Sequence, residues 1–132
     1  MSAHTLLGEP PPIQVTGSDF RRLRALTRST YRKWDPEILE FLRVELDRAT
    51  IIERPSAPRS FVGIGSYVIY QDETGFVDSG TLTLPGQEWD SVRAIPVLSA
   101  LGAALLGLSE NQSIAYQAPD GRTKRITLLK TR

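Results

Sequence analysis

The spacing of apolar residues changes once along this chain, and that change limits the fold more than any other feature. From Phe20 to Ala49 apolar residues recur three and four apart, the period of a helix with one buried face. From Phe61 onward they alternate and are often β-branched, the period of half-buried strands. Between the two regimes, Glu53-Arg54-Pro55-Ser56-Ala57-Pro58-Arg59 places two prolines in seven residues and reads as a linker. A helical front and a strand-rich back within 132 residues predict an α+β protein built from two small modules.

The front begins with Gly8 and Pro10-Pro11-Pro12, a composition that predicts a flexible, extended tail over residues 1–15. Thr16-Gly17-Ser18-Asp19 then offers N-cap chemistry, with Thr16 and Asp19 at capping-box spacing or Ser18 capping directly. Phe20, Leu23, Leu26, Thr30 and Tyr31 share one face of a first helix expected from Ser18 to Lys33. Its other side carries Arg21, Arg22, Arg24, Arg28, Arg32 and Lys33 against the single acid Asp19. At Trp34-Asp35-Pro36-Glu37 the pattern breaks and restarts: Asp35 suits an N-cap, Pro36 the first helical position, and Glu37 the helix dipole. A second helix, expected to about Thr50, has an apolar stripe of Ile38, Phe41, Leu42, Leu46 and Ala49 and a net acidic surface. Two stripes joined this tightly must bury against each other, as a short antiparallel helical hairpin over residues 16–54. Trp34 at the joint is either its plug or an anchor for a partner.

In the back module, residues 60–132, the expected strands are Phe61 to Tyr70 (bent near Gly63 or Gly65), Phe76 to Leu84, Val92 to Val97, Ser113 to Gln117 and Arg125 to Lys130. Asp72-Glu73-Thr74-Gly75 and Pro119-Asp120-Gly121 are turn signals. The uncharged run from Ser99 to Leu108 repeats Leu101, Leu105 and Leu108 at helical spacing, with Gly102 and Ala103 slim enough for a sheet to approach closely. The expected product is an antiparallel sheet of four to five strands with one helix packed on it.

Composition excludes several chemistries. There is no cysteine, and His4 is the only histidine, so thiolate chemistry, a Ser-His-Asp triad and a His-based metal site are not expected. The longest uncharged run, Ala94 to Leu108, is too short to span a bilayer, and residues 1–15 lack the pattern of a secretory signal. A cytoplasmic protein with no membrane contact is expected. A net charge of +1 gives no overall attraction to nucleic acid. Local basic groups remain, among them Arg122, Lys124, Arg125, Lys130 and Arg132, but no RNA-stacking motif accompanies them. Tyr67, Tyr70, Phe76 and Tyr116 raise a prolyl-isomerase pocket as a rival, although strand alternation alone produces the same aromatics.

Gly65-Ser66 before a β-branched strand, then a hairpin, then Ser99-Ala100-Leu101-Gly102-Ala103-Ala104-Leu105-Leu106-Gly107, then Pro119-Asp120-Gly121 and a closing strand, resembles the C-terminal domain of bacterial GreA/GreB transcription elongation factors. The short two-helix front, with Glu45-Leu46-Asp47-Arg48-Ala49 leading into the linker, resembles the Rnk branch, the regulators of nucleoside diphosphate kinase. The sequence departs from the family at Ser99-Ala100, where Ser-Pro is usual, and at Glu110-Asn111-Gln112, where Val-Gly-Asp is usual. The resemblance implies an FKBP-like fold for the back module and RNA polymerase as the partner, bound at the rim of the secondary channel. Leu98, Ser99, Ala100 and Leu101 would dock on the rim, with Trp34, Asp35 and Glu37 at the tip of the inward-pointing hairpin. In Gre factors that tip presents two acids that help hold a catalytic magnesium ion. Here Asp35-Pro36-Glu37 is accounted for as helix-start chemistry, and Ser18 to Lys33 would span only about 24 Å. The expectation is therefore a non-catalytic accessory factor without a cofactor. The alternative is a cleavage factor acting through Asp35 and Glu37. An apolar face left exposed on so short a hairpin would favour a weak homodimer.

Overall fold

A computed structural model of the chain describes residues 9–28, 33–53, 60–88 and 93–132. His4, Thr30, Tyr31, Arg32, Trp89, Val92 and the linker at 54–59 lie outside the described residues.

The front half is a helical hairpin closed at its base by two short strands. Strand β1 (Gln14–Thr16) runs into helix α1 (Gly17–Thr27), and helix α2 (Pro36–Arg48) runs into strand β2 (Thr50–Ile52). The strands pair in parallel, with Gln14 opposite Thr50 and Thr16 opposite Ile52. Helix α1 thus starts at the end where α2 finishes, which makes the helices antiparallel. Both starts follow the chemistry read from the sequence. The Asp19 backbone N–H donates to Thr16 Oγ1 at 3.0 Å, and the Glu37 N–H donates to Asp35 Oδ1 at 2.9 Å, with Pro36 at the first helical position. Leu23, Leu42 and Leu46 are fully buried between the helices and the sheet. Helix α1 ends at Thr27, short of the expected Lys33. There the Thr27 hydroxyl donates to the Arg24 carbonyl (2.9 Å), the local bond by which Ser and Thr compete with a continuing helix.

The predicted tail over residues 1–15 does not hold at residues 13–15. Ile13 and Val15 are each 1 % exposed and belong to the main core. The Gln14 N–H donates to the Gly107 carbonyl (3.2 Å), and the Thr50 N–H donates to the Ile13 carbonyl (3.0 Å). Gly107 is required there: it holds a φ of +81°, and a Cβ would lie 2.7 Å from Ile13 Cβ.

The back half is a five-stranded sheet of β3 (Tyr67–Asp72), β4 (Val77–Thr83), β5 (Ala94–Pro96), β6 (Ser113–Gln117) and β7 (Thr123–Thr131), in the order β5-β4-β3-β7-β6. Helix α3 (Ala100–Leu105) packs against β6 and β5. The expectation of a purely antiparallel sheet is corrected at one edge. The chain crosses back between β4 and β5, so β5 runs parallel to β4 and the sheet is mixed. The expected strand from Phe61 to Tyr70 is also interrupted. Ser66 Oγ accepts the Gly63 N–H (2.9 Å) in a turn, Phe61 forms an isolated bridge with Ser109, and the ladder begins at Tyr67.

One hydrophobic core serves both halves. Leu23, Leu42 and Leu46 from the helices join Val62, Val68, Leu82, Leu105, Leu106, Ile126 and Leu128. A buried acid bonds across the same boundary: Asp19, 2 % exposed, pairs with Arg22 at 2.6 Å and accepts the Ile64 backbone N–H at 3.0 Å.

Candidate functional site

Helix α3 is positioned by a carbonyl and a hydroxyl. Ser99 Oγ accepts the Gly102 N–H at 3.0 Å and donates to the Pro96 carbonyl at 2.6 Å, fixing the start of the helix on the end of β5. Gly102 permits the contact, because a Cβ there would lie 1.9 Å from Pro96 O. Leu98, Ser99, Ala100 and Leu101 are consequently half-buried at the surface, with their backbone held by β5 below.

The residues of this turn face two different depressions. Ser99 and Leu101 line an open groove with Tyr70, Asp78 and Arg93, in which Arg93 and Asp78 are paired at 2.8 Å. Burial pushes the Tyr70 hydroxyl pKa above its ordinary value, with Asp78 adding to the effect. Ala100 lies on the other side, in a cleft of about 210 Å³ between the hairpin and the sheet. Helix α2 supplies Ile38 and Phe41, α3 supplies Ala100 and Ala103, the end of β6 supplies Tyr116 and Gln117, and the turn after it supplies Ala118 and Pro119. Asp35 and Glu37 complete the lining. The Tyr116 hydroxyl pKa is also raised, first by burial and then by Glu73 and Asp72.

The structure therefore brings Asp35, Glu37 and Ala100 into one cleft, although 65 residues separate Asp35 from Ala100 in sequence. Ser99 and Leu101 belong to the neighbouring groove, and half-buried Trp34 is not part of the cleft lining. The hairpin tip lies beside α3. Of the other cleft-lining residues, Tyr116 was raised only for the rival isomerase pocket, and Ile38, Phe41, Ala103 and Ala118 were not expected as site residues. Ile38 and Phe41 carry a sequence signal, since they belong to the apolar stripe, but the stripe alone does not say that part of it faces the sheet.

The rival sites do not assemble. Tyr116 lines the cleft, Tyr70 lines the groove, Tyr67 stacks beneath Arg132 with the guanidinium 5.9 Å from the ring centroid, and Phe76 is 63 % exposed at a turn. They do not form an aromatic box. The basic face of α1 is largely paired: Arg22 with Asp19, Arg24 with Asp47 at 2.7 Å, and Arg21 with Glu53 at 3.7 Å. Among the described residues there is no cluster of three His, Cys, Asp or Glu able to hold a metal ion, and no helix long and apolar enough to cross a membrane.

Residues 11–52 match the family described as Rnk N-terminus, and residues 57–132 match the family described as transcription elongation factor GreA/GreB, C-terminal. The regulator of nucleoside diphosphate kinase of Escherichia coli strain K12 is 31 % identical over 121 residues, covering 91 % of this chain and 88 % of the relative. The protein of the same name from Shigella flexneri matches to the same extent. Among solved structures, the prokaryotic transcription elongation factor GreA/GreB from Nitrosomonas europaea is similar, with a TM-score of 0.66 and 26 % identity. That match covers 92 % of this chain and 98 % of the other.

Proposed function

Because this chain belongs to the GreA/GreB family of transcription elongation factors and carries an Rnk-type N-terminus, we propose that it binds RNA polymerase at the rim of the secondary channel and modulates transcription without catalysis. In this reading the sheet with α3 is the family's FKBP-like docking domain, and Leu98, Ser99, Ala100 and Leu101 make the rim contact. Ser99 and Gly102 hold that turn on β5, so its apolar surface is preorganised for a partner.

The observation that carries the non-catalytic part is the hairpin tip. Asp35 is bonded to the first turn of α2, and Asp35 and Glu37 both line a cleft against α3. At 1.5 Å per residue, α1 and α2 are only about 16 and 20 Å long. A short hairpin with its tip beside the sheet suits a protein that occupies the channel entrance and excludes longer hairpins. It does not suit delivery of two free carboxylates to a distant metal ion.

The cleavage reading rests on the same acids, so one experiment separates the two. Backtracked RNA polymerase is incubated with the protein, and both transcript cleavage and co-purification with polymerase are followed. The expected result is co-purification with cleavage no faster than for polymerase alone. Accelerated cleavage that disappears in Asp35→Ala/Glu37→Ala would make this a cleavage factor. Failure to co-purify would remove polymerase as the partner.

A further inference from the structure

We propose that the cleft between α2 and α3 is a socket for a partner polypeptide presenting one apolar side chain with a lysine or arginine beside it. The proposal rests on the polymerase-binding reading above and names the chemistry of the segment seated there.

Two observations define the occupant. The first is size and polarity. Ile38 and Phe41 face α3 residues that carry only methyl groups, Ala100 and Ala103, so the space exists because that wall is small. Ala118 and Pro119 add to the lining, again without charge. A volume of about 210 Å³ is below the roughly 300–1,000 Å³ of ordinary small-molecule pockets, and it suits an inserted side chain better than a nucleotide.

The second observation is charge. Among the described residues, the ionised groups in the lining are Asp35 and Glu37, both acidic, and no described Lys, Arg or His accompanies them. Both residues are exposed, so they form the wet edge of an apolar depression. Elsewhere on the hairpin the acids have basic partners: Asp19 with Arg22, Glu45 with Arg48, Asp47 with Arg24, and Glu40 with Arg43. An apolar floor with a one-sign edge selects an apolar anchor flanked by the opposite charge. The floor contributes burial, and the edge steers the approach and fixes the register. One helical turn of a partner, with the basic residue three or four positions from the anchor, presents both on one face.

The test measures the affinity of purified RNA polymerase for the wild-type protein, Glu37→Lys, Ile38→Trp and, as a charge-matched control, Glu53→Lys at the opposite end of the hairpin. Glu37→Lys reverses the edge at an exposed position, and Ile38→Trp fills the cleft. Circular dichroism melting of each variant reads folding independently. Glu37→Lys and Ile38→Trp should each weaken binding by about tenfold or more, while Glu53→Lys stays within about twofold. Added salt should weaken wild-type binding more than that of Glu37→Lys. Wild-type affinity in both cleft variants would overturn the socket and leave polymerase binding standing. No binding by the wild type would overturn both. Self-association of the wild type that Ile38→Trp abolishes would assign the cleft to a second copy of the chain instead, and would also overturn the proposal.

Discussion

Gly102→Ala should destabilise the protein even though helix propensity alone predicts a gain. Gly102 lies within α3, where alanine is favoured over glycine by about 1 kcal/mol. The new Cβ, however, would lie 1.9 Å from Pro96 O and 2.8 Å from Pro96 C. Relief requires a movement of more than about 1 Å, because unstrained contacts of this kind sit above 3 Å. Pro96 cannot easily supply it. Its strand is paired to β4, the Val97 N–H donates to the Thr83 carbonyl at 2.8 Å, and Ser99 Oγ donates to Pro96 O. Displacing α3 instead breaks the Ser99 cap, at about 1 kcal/mol, on top of roughly 1–3 kcal/mol for overpacking. After the propensity gain, the net loss is about 2 kcal/mol. For a protein of this size that lowers Tm by about 6–10 °C. Thermal melting by circular dichroism checks it. An unchanged or higher Tm would show that α3 is free to move off β5, and the proposed preorganisation of the 98–101 turn would go with it.

Three further perturbations probe other parts of the fold. Ile13→Ala removes a residue that is 1 % exposed and should cost about 2–5 kcal/mol in chemical denaturation, whereas a residue in a solvated tail would cost nothing measurable. Asp19→Asn discharges the buried partner of Arg22 and Ile64 and should lower the denaturation midpoint by the equivalent of about 1–3 kcal/mol at unchanged m; a change under about 0.5 kcal/mol would mean that the link across the two halves is not energetic. At Asp72, the Thr74 hydroxyl is the chief cause of a carboxyl pKa below the ordinary value. The Thr74 and Phe76 N–H groups and Lys124 help, against an opposing effect of burial. Its folded pKa is depressed, so its contribution is complete above the unfolded pKa of about 3.9 and is lost as pH falls through the lower folded value. Titration followed by NMR should place Asp72 below ordinary aspartates and move it upward in Thr74→Val; an ordinary value in both proteins contradicts this.

What was legible in the sequence was local. The caps at Thr16 and Asp35 need only a few neighbouring residues, and each does what its spacing predicts. The turn at Asp72 likewise contains its own bonds, with the Thr74 and Phe76 N–H groups donating to Asp72 Oδ1. What was missed depends on contacts between distant segments. Ile13 and Val15 follow three prolines, and the strand that holds Val15 has only three residues, too short for any alternation to register, with its partner at 50–52. The direction of β5 is set by the path from β4, which three residues do not encode. The Asp19 bond to Ile64 spans 45 residues, and the cleft joins α2 to α3 and the end of β6. Amphipathic spacing marks Ile38 and Phe41 as buried, but not which surface buries them.

Occupancy of the channel without catalysis, as proposed above, is read out by competition. A Gre-type cleavage factor is bound to backtracked RNA polymerase, this protein is titrated in, and the transcript-cleavage rate is measured. Cleavage is expected to fall to the level of polymerase alone as the protein displaces the factor. Cleavage that stays constant at saturating protein, or accelerates, would contradict it.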